Sequence, residues 1–376
     1  MGIFPFRILP PIGLDIGTNT FRAAQLKAAQ GSPILIKYGK VKVPMGAVVE
    51  GEVVDVEAVS NSLFRLWKNA GFGDKRVIIG VANQKVVVRL IELPYMEKSE
   101  LKGAIQYQAQ EFIPIPIEEA ILDFQVVGEF TTENNERMME VLLVAGQKDM
   151  IRNNVAAVEG AGLKPVVIDV SSFALVRSLI GESPIIPEEG ELEGTATALI
   201  NISAGITNIV VVERGIPRFT RVTSLAGNDF TRAIADALNV SFDEAEDLKV
   251  EIGLPPLNKE SKSKKVKSEM ADKVPLVQEV LVKEINNFVT EVRRSFDYYL
   301  AQARQVKGIG RVILSGDGSK LEYLDRYLSQ GLQVGVEFGH PLKGFQIDPK
   351  LPQEELMAEE LSLAICLGLA LRGFER

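Results

Sequence analysis

A short polar turn between two apolar runs holds the residues of this sequence best suited to bind a phosphate. Residues 12–27 read IGLDIGTNTFRAAQLK, an alternation that predicts a tight β-hairpin turning after Asp15. Gly17 is expected to take a positive φ, so that backbone N–H groups converge on an anion. Asp15 would hold magnesium through water. Three side-chain donors would add to the site: Thr18, Asn19 and Thr20. An ordinary polar hairpin is the alternative interpretation.

Two later turns carry similar chemistry. Residues 197–215 read TALINISAGITNIVVVERG and repeat the order of apolar strand, glycine-containing turn and apolar strand. Residues 311–319 read RVILSGDGS, a buried strand that runs into a glycine-rich turn before a predicted helix. Such a turn is a usual place for a phosphate or a base. The duplicated pattern predicts two related domains, with a nucleotide between their two hairpin turns.

The composition limits the alternatives. A chain of 376 residues with 46% hydrophobic residues predicts a folded protein of two domains. The net charge of −8 argues against nucleic acid as a partner. With one cysteine, Cys366, and one histidine, His340, the sequence excludes a disulfide framework, and a Ser-His-Asp triad is not expected. No apolar segment reaches the roughly 20 residues that a membrane-spanning helix needs.

Local patterns place the connecting elements. Residues 53–71 have helical spacing and end at Gly71, and residues 354–372 predict one apolar helix. The proline- and glutamate-rich residues 181–194 predict a linker. The basic residues 259–267 predict a solvated loop, with contact to anionic lipid or a partner as the second interpretation.

A proline-fixed apolar segment precedes the middle of the chain. Residues 107–122 read YQAQEFIPIPIEEAIL, and the prolines prevent the preceding helix from continuing. The segment is predicted to line a groove for an extended peptide. The predicted contact residues are Phe112, Ile113, Pro114 and Ile115. The alternative is a loop packed against its own domain.

Taken together, these motifs resemble those of a known fold. LDIGTNT (14–20), the turn at 201–208 and SGDGSKL (315–321) are similar to the two phosphate motifs and the adenosine motif shared by actin and the sugar kinases. Residues 84–165 read as an inserted block that resembles the one in the division protein FtsA. Four further segments resemble the PilM family of type IV pilus assembly and, with these motifs, span most of the chain: EFIPIPIEEAILDF, VVIDVSSFAL, SLAGNDFTRAIADAL and LGLALRG.

The resemblance implies an α/β actin-like ATPase fold of two duplicated domains with a nucleotide cleft between them and an FtsA-like inserted subdomain. The expected organisation is an N-terminal arm (1–11), a first core subdomain (12–83 and 166–194), an inserted subdomain (84–165), a second core subdomain (195–230 and 308–376, its C-terminal helix returning to the first) and a nucleotide-base-side subdomain (231–307).

The resemblance also implies ATP and Mg²⁺ as ligands. Asp15 and Gly17 to Thr20 would hold the phosphates together with Arg22, in a position where the family usually has lysine. Glu246 and Lys249 would contact the ribose and base. The remaining implied ligand residues are Gly205, Thr207, Asn208 and Gly227 around the second hairpin, and Gly316, Gly318 and Ser319 at the adenosine.

One departure from the family pattern affects catalysis. The second hairpin usually reads Asp-Ile-Gly, whereas here it reads Asn201, Ile202, Ser203. A neutral amide lacks the charge with which a carboxylate binds magnesium. It is also not basic enough to take a proton from the attacking water. The sequence therefore predicts ATP binding with slow or absent hydrolysis.

The implied role is that of a cytoplasmic adaptor at the inner-membrane pilus platform, or a related secretion platform, which binds the N-terminal tail of a PilN-like membrane protein. Whether the adaptor also forms a homo-oligomer is left open. Two alternatives stay open. One is an FtsA-like filament former in division or cell shape. The other is a small-molecule kinase, for which Asp169 is the candidate general base.

Overall fold

The computed structural model describes residues 9–181, 194–257, 268–303 and 306–375. Three sequence predictions concern segments that lie wholly or largely outside the described residues: the N-terminal arm, the linker at 181–194 and the basic loop at 259–267. Among the described helices, none is long and apolar enough to cross a bilayer.

Strands and helices alternate along the chain. The strands are β1 (Ile12–Ile16), β2 (Thr20–Lys27), β3 (Ile34–Lys42), β4 (Val48–Val49), β5 (Glu52–Val53), β6 (Arg76–Val81), β7 (Val86–Pro94), β8 (Ala120–Thr131), β9 (Arg137–Gln147), β10 (Lys164–Val170), β11 (Thr195–Ile202), β12 (Thr207–Glu213), β13 (Ile216–Thr223), β14 (Gly308–Ser315), β15 (Gly335–Phe338) and β16 (Gln346–Ile347). The helices are α1 (Val56–Ala70), α2 (Lys98–Phe112), α3 (Lys148–Gly160), α4 (Ser171–Leu179), α5 (Gly227–Leu238), α6 (Phe242–Ile252), α7 (Val274–Leu300), α8 (Leu324–Leu332), α9 (Gln353–Glu359) and α10 (Ala364–Arg372).

The chain divides into two compact units. Unit 1 contains the described residues of 9–81, 154–181 and 339–375, and unit 2 those of 82–153 and 194–338. The C-terminal helices α9 and α10 thus belong to the unit that contains the first hairpin, whereas the adenosine-motif strand β14 belongs to the unit that contains the second.

In unit 1, a six-stranded sheet has the order β10-β6-β1-β2-β3-β16. The hairpin strand β1 lies inside it, antiparallel to β2 and parallel to β6. Helix α10 packs against β1 so closely that a Cβ on Gly13 would lie 2.2 Å from the Cys366 carbonyl oxygen. The glycine therefore permits the contact between the hairpin and the C-terminal helix.

In unit 2, a five-stranded sheet has the order β13-β12-β11-β14-β15. Apolar side chains from α7, among them Leu281, Ile285 and Phe288, pack with those of the sheet in one buried cluster. Residues 82–153 add a second, three-stranded sheet of order β7-β9-β8. This sheet forms a separate apolar core with α2.

Local signals located most helix ends and missed one interruption. Helix α1 ends at Gly71 in the left-handed conformation, as predicted, but it begins after the Asp55 cap rather than at residue 53, and the Asp55 carboxylate accepts from the Ala58 N–H. The prediction of one helix over 354–372 is wrong, because a 3₁₀ turn separates α9 from α10. The Glu360 carboxylate in that turn accepts from the Leu342 N–H. The spacing of apolar residues along the sequence gives no indication of such a contact.

Candidate functional site

The first hairpin forms where the sequence predicts it. Asp15 pairs with Arg22 across β1 and β2, and the turn between these strands is partly exposed. Gly17 does not take the positive φ expected from the sequence. Its role is to allow a close approach, because a Cβ there would lie 2.7 Å from the Thr20 carbonyl oxygen. The donors Thr18, Asn19 and Thr20 lie in the turn or at its end, as predicted.

Charged side chains line one face of this hairpin. Arg22 pairs with Asp15 on one side and with Lys40 on the other, so the three side chains project from the same face of the sheet. The Arg22 side chain is 9% exposed, and its NH2 lies 3.4 Å from Glu359 Oε2. Sequence analysis did not find Glu359, because 337 residues separate it from Arg22.

The second hairpin is neutral and bonded internally. Asn201 Nδ2 donates to Ser315 Oγ at 2.9 Å, and its Oδ1 accepts from Ser203 Oγ at 2.9 Å. The Ser203 N–H donates to the Ile206 carbonyl, which closes the turn that contains Gly205. Both polar atoms of the Asn201 amide are therefore engaged within the protein.

The next two residues of this hairpin differ from each other. The Thr207 hydroxyl is fully buried and donates to the Leu225 carbonyl at 2.8 Å. Asn208 is also fully buried, but neither Nδ2 nor Oδ1 has a hydrogen-bond partner among the described residues. A buried amide without partners costs stability, so Asn208 is a candidate ligand contact.

The glycine loop at 316–319 packs directly on the second hairpin. Gly316 has a φ of +90°, and a Cβ on it would lie 2.3 Å from the Ile202 carbonyl oxygen. Gly318 meets the Ile202 side chain, and the buried Ser319 hydroxyl donates to the Gly316 carbonyl at 2.6 Å. Gly227, the first residue of α5, donates its N–H to the Ser203 carbonyl at 3.1 Å. The structure thus brings these predicted residues together.

Glu246 and Lys249 meet at the start of α5. Lys249 Nζ lies 2.7 Å from Glu246 Oε2, 2.7 Å from Thr231 Oγ1 and 3.1 Å from the Gly227 carbonyl. The Lys249 side chain is 11% exposed, so this cation is largely enclosed by its partners. Thr231, which sequence analysis did not single out, joins the predicted pair to Gly227.

The proline-fixed segment packs on its own subdomain. Ile113 is 4% exposed within the core of residues 82–153, and Phe112 and Ile115 pack against that core while half-buried. Pro114 is exposed. Only part of the segment is therefore open to a partner, and its role in peptide binding stays a prediction.

Asp169, the candidate general base of the kinase alternative, is engaged in an ion pair. Asp169 Oδ2 lies 2.6 Å from Arg177 NH1; burial raises the pKa of Asp169, and the arginine opposes that rise. Burial also raises the pKa of the Cys366 thiol well above its usual range. Among the described residues, no group of three or more His, Cys, Asp or Glu side chains could hold a metal.

Comparison with known proteins identifies the family. The family described as type IV pilus assembly protein PilM matches residues 13–374. The chain belongs to the PilM family. A solved structure described as the PilM-PilN type IV pilus biogenesis complex is similar to this chain, with 27% identity, a TM-score of 0.79, and coverage of 98% of this chain and 99% of that one.

This PilM-family chain is also similar to proteins of other families, and it spans only 58% of the length of the first of them. The cell division protein FtsA of Bacillus subtilis is 27% identical over 64% of this chain and 58% of its own length, and FtsA of Streptococcus pneumoniae is 25% identical over 82% and 70%. MreB5 of Spiroplasma citri, solved with AMPPNP, is 14% identical, with a TM-score of 0.54, over 98% of this chain and 96% of that one. The predicted actin-like α/β fold of two domains is confirmed.

Proposed function

We propose that this protein is a nucleotide-binding adaptor of the type IV pilus, or of a related secretion machine, at the inner-membrane assembly platform. The observation that carries the proposal is the similarity over nearly the whole chain to the PilM-PilN complex. The partner is the N-terminal tail of a PilN-like membrane protein. The adaptor itself is cytoplasmic and reaches the membrane through that partner.

We propose that ATP is the nucleotide, held by the two hairpins and the loop at 316–319. Support comes from the close-packed glycine turns and from the buried, unpartnered Asn208 amide, which would gain hydrogen bonds from a ligand. Lys249, with Glu246, lies against the same start of α5 and would contact the ribose and base. Mg²⁺ would be held by Asp15 and the phosphates, since magnesium commonly uses one or two carboxylates.

Hydrolysis is proposed to be slow or absent. The Asn201 amide is neutral, and both its polar atoms are engaged by Ser315 and Ser203. A group in that state neither carries a charge toward a metal nor accepts a proton from water. Bound ATP then acts by favouring one conformation of the protein over another. The size of this effect is set by the difference in ATP affinity between the two conformations.

The partner tail is proposed to bind beside the segment that contains Phe112, Ile113, Pro114 and Ile115. The exposed Pro114 and half-buried Ile115 are the positions that a peptide could contact directly. Ile113 would act only by supporting the segment, since it lies in the core.

Isothermal titration tests this proposal. A peptide of the tail of a PilN-like partner is titrated into the protein with and without Mg-ATP. We expect binding whose affinity changes with nucleotide. Ile115→Ser should weaken it, whereas Val54→Ser, at a 63% exposed position in unit 1, should not. Absence of binding in both states contradicts the adaptor role, and sedimentation of filaments with ATP would then favour the FtsA-like alternative.

A further inference from the structure

One carboxylate of the C-terminal region lies between two cations of the first sheet. Glu359, the last residue of α9, contacts Arg22 NH2 at 3.4 Å through Oε2 and Lys40 Nζ at 3.2 Å through Oε1. We propose that Glu359 is an internal counter-ion that competes with an anionic phosphate for Arg22. This inference rests on the proposed binding of ATP at the first hairpin.

The strand register places Arg22 where such competition can occur. Arg22 lies directly opposite Asp15, two residues before Gly17 begins the turn, and both side chains project from one face. The side chains of Arg22 and Glu359 are 9% and 19% exposed, so water screens their attraction only weakly. The charge of the guanidinium is therefore largely balanced before any ligand arrives.

The contact between Glu359 and Arg22 is loose enough to be exchanged. Charge-assisted N–H···O bonds are usually about 2.7–2.9 Å long, which is clearly shorter than the 3.4 Å contact here. A phosphate oxygen could pair with the planar guanidinium in a closer, bidentate arrangement. We infer that phosphate replaces Glu359 at Arg22 at small cost.

Lys40 retains the displaced carboxylate. Its Nζ is bound by Glu359 and also lies 3.2 Å from Glu355, so Glu359 keeps a partner when Arg22 turns toward phosphate. The exchange links ligand binding to α9, because Glu359 ends that helix and the next residue starts the 3₁₀ turn before α10. Glu359 is thus a positioning residue that lowers phosphate affinity in the resting protein.

The test compares ATP with adenosine, which lacks phosphate, by titration calorimetry. Glu359→Gln removes the competing charge with little change of shape, and we expect it to bind ATP about three- to tenfold tighter than the wild type. Adenosine affinity should not change. Glu359→Asp keeps the charge and should restore wild-type ATP affinity. Glu355→Gln is the matched control, since Glu355 contacts Lys40 rather than Arg22, and it should bind ATP as the wild type does.

The outcomes separate this inference from the proposed function. If Glu359→Gln binds ATP no more tightly than the wild type, or if its affinity for adenosine rises by the same factor, the competition is overturned. The proposed ATP site is not contradicted by either result. If the wild type binds no ATP, the proposed site is contradicted. In that case the competition is tested with inorganic pyrophosphate. A rise in the thermal stability of Glu359→Gln on adding pyrophosphate supports the competition, and the absence of a rise overturns it as well.

A second variant protects the test if Glu359→Gln folds poorly. Lys40→Met removes one of the two cations that contact Glu359 and so strengthens its attraction to Arg22; the variant should bind ATP about two- to threefold more weakly with unchanged adenosine affinity. Unchanged ATP affinity in this variant contradicts the exchange.

Discussion

The two polar hairpins share one pattern of strand, turn and strand but use their polar atoms differently. The first, in unit 1, has a row of charges in Asp15, Arg22 and Lys40, and its turn is partly exposed. The second, in unit 2, has a neutral network in which Asn201 is bound by Ser203 and Ser315. The first hairpin therefore presents charged side chains, whereas the second presents mainly a neutral, hydrogen-bonded surface.

The difference shows that duplication of a backbone pattern does not duplicate its chemistry. A carboxylate in the second hairpin would add a buried charge, which costs stability, whereas the neutral Asn201 amide is satisfied by the two hydroxyls that it has. Asn208 is the exception in this hairpin, since its amide has no partner among the described residues.

The largest effects should come from the feature that both hairpins share, their glycine contacts. Gly13→Ala and Gly316→Ala should each lower the free energy of unfolding by about 3–5 kcal/mol, because each new Cβ would collide with backbone, and Gly316 also has a positive φ. Urea denaturation measures this. Gly73→Ala, with no atom within 4 Å of the new Cβ, should change stability by less than about 1 kcal/mol. A small effect at Gly316 alone would show that the second hairpin is less rigid than its glycine contact indicates.

Leucine substitutions of the two asparagines in the second hairpin, Asn201 and Asn208, should change the free energy of unfolding in opposite directions. Asn201→Leu should lower the free energy of unfolding by about 2–3 kcal/mol, because two hydrogen bonds are lost and two hydroxyls lose their partner. Asn208→Leu should raise it by about 1–2 kcal/mol, because a buried amide without partners is removed. Asn208→Leu should also weaken ATP binding. Thermal denaturation without ligand checks both signs, and equal destabilisation would contradict the distinction.

Charge can be restored to the second hairpin. Asn201→Asp places a carboxylate at a 3% exposed position, which should cost about 1–2 kcal/mol of stability, since Ser203 still donates to it and the Ser315 hydroxyl, which accepts from the Asn201 amide, can rotate to donate instead. With Mg-ATP, phosphate release should rise at least about tenfold over the wild type. A colourimetric phosphate assay measures this release. An unchanged rate would show that Asn201 is not what limits hydrolysis.

The smallest effects should distinguish the two threonines. Thr207→Val removes a buried bond to the Leu225 carbonyl and should cost about 1 kcal/mol of stability. Thr20→Val removes a half-exposed hydroxyl of the first hairpin and should leave stability within about 0.5 kcal/mol while weakening ATP binding. If Thr20→Val lowers stability and leaves ATP affinity unchanged, the Thr20 hydroxyl is a structural group and not a ligand donor.

Local patterns predicted much of this architecture. Both hairpins form where they are predicted, and α1 ends at Gly71 as expected, since period-two alternation and cap residues act over a few positions. The same reasoning failed at 354–372, where a 3₁₀ turn over Glu360–Ser362 interrupts the helix. The prediction of a positive φ at Gly17 was also wrong. A turn sequence does not reveal whether its glycine is needed for an unusual backbone conformation or for a close contact, and at Gly17 it is the contact.

The sequence by itself determined the actin-like fold, the family and the positions of the glycine turns, because strand alternation and turn chemistry depend on neighbouring residues. Only the tertiary structure decided which polar groups are already engaged. Arg22 meets Glu359 across 337 positions, and Asn201 meets Ser315 across 114. Partners so far apart are chosen by the packing of whole sheets and helices, so the state of each charge and amide follows from the folded chain.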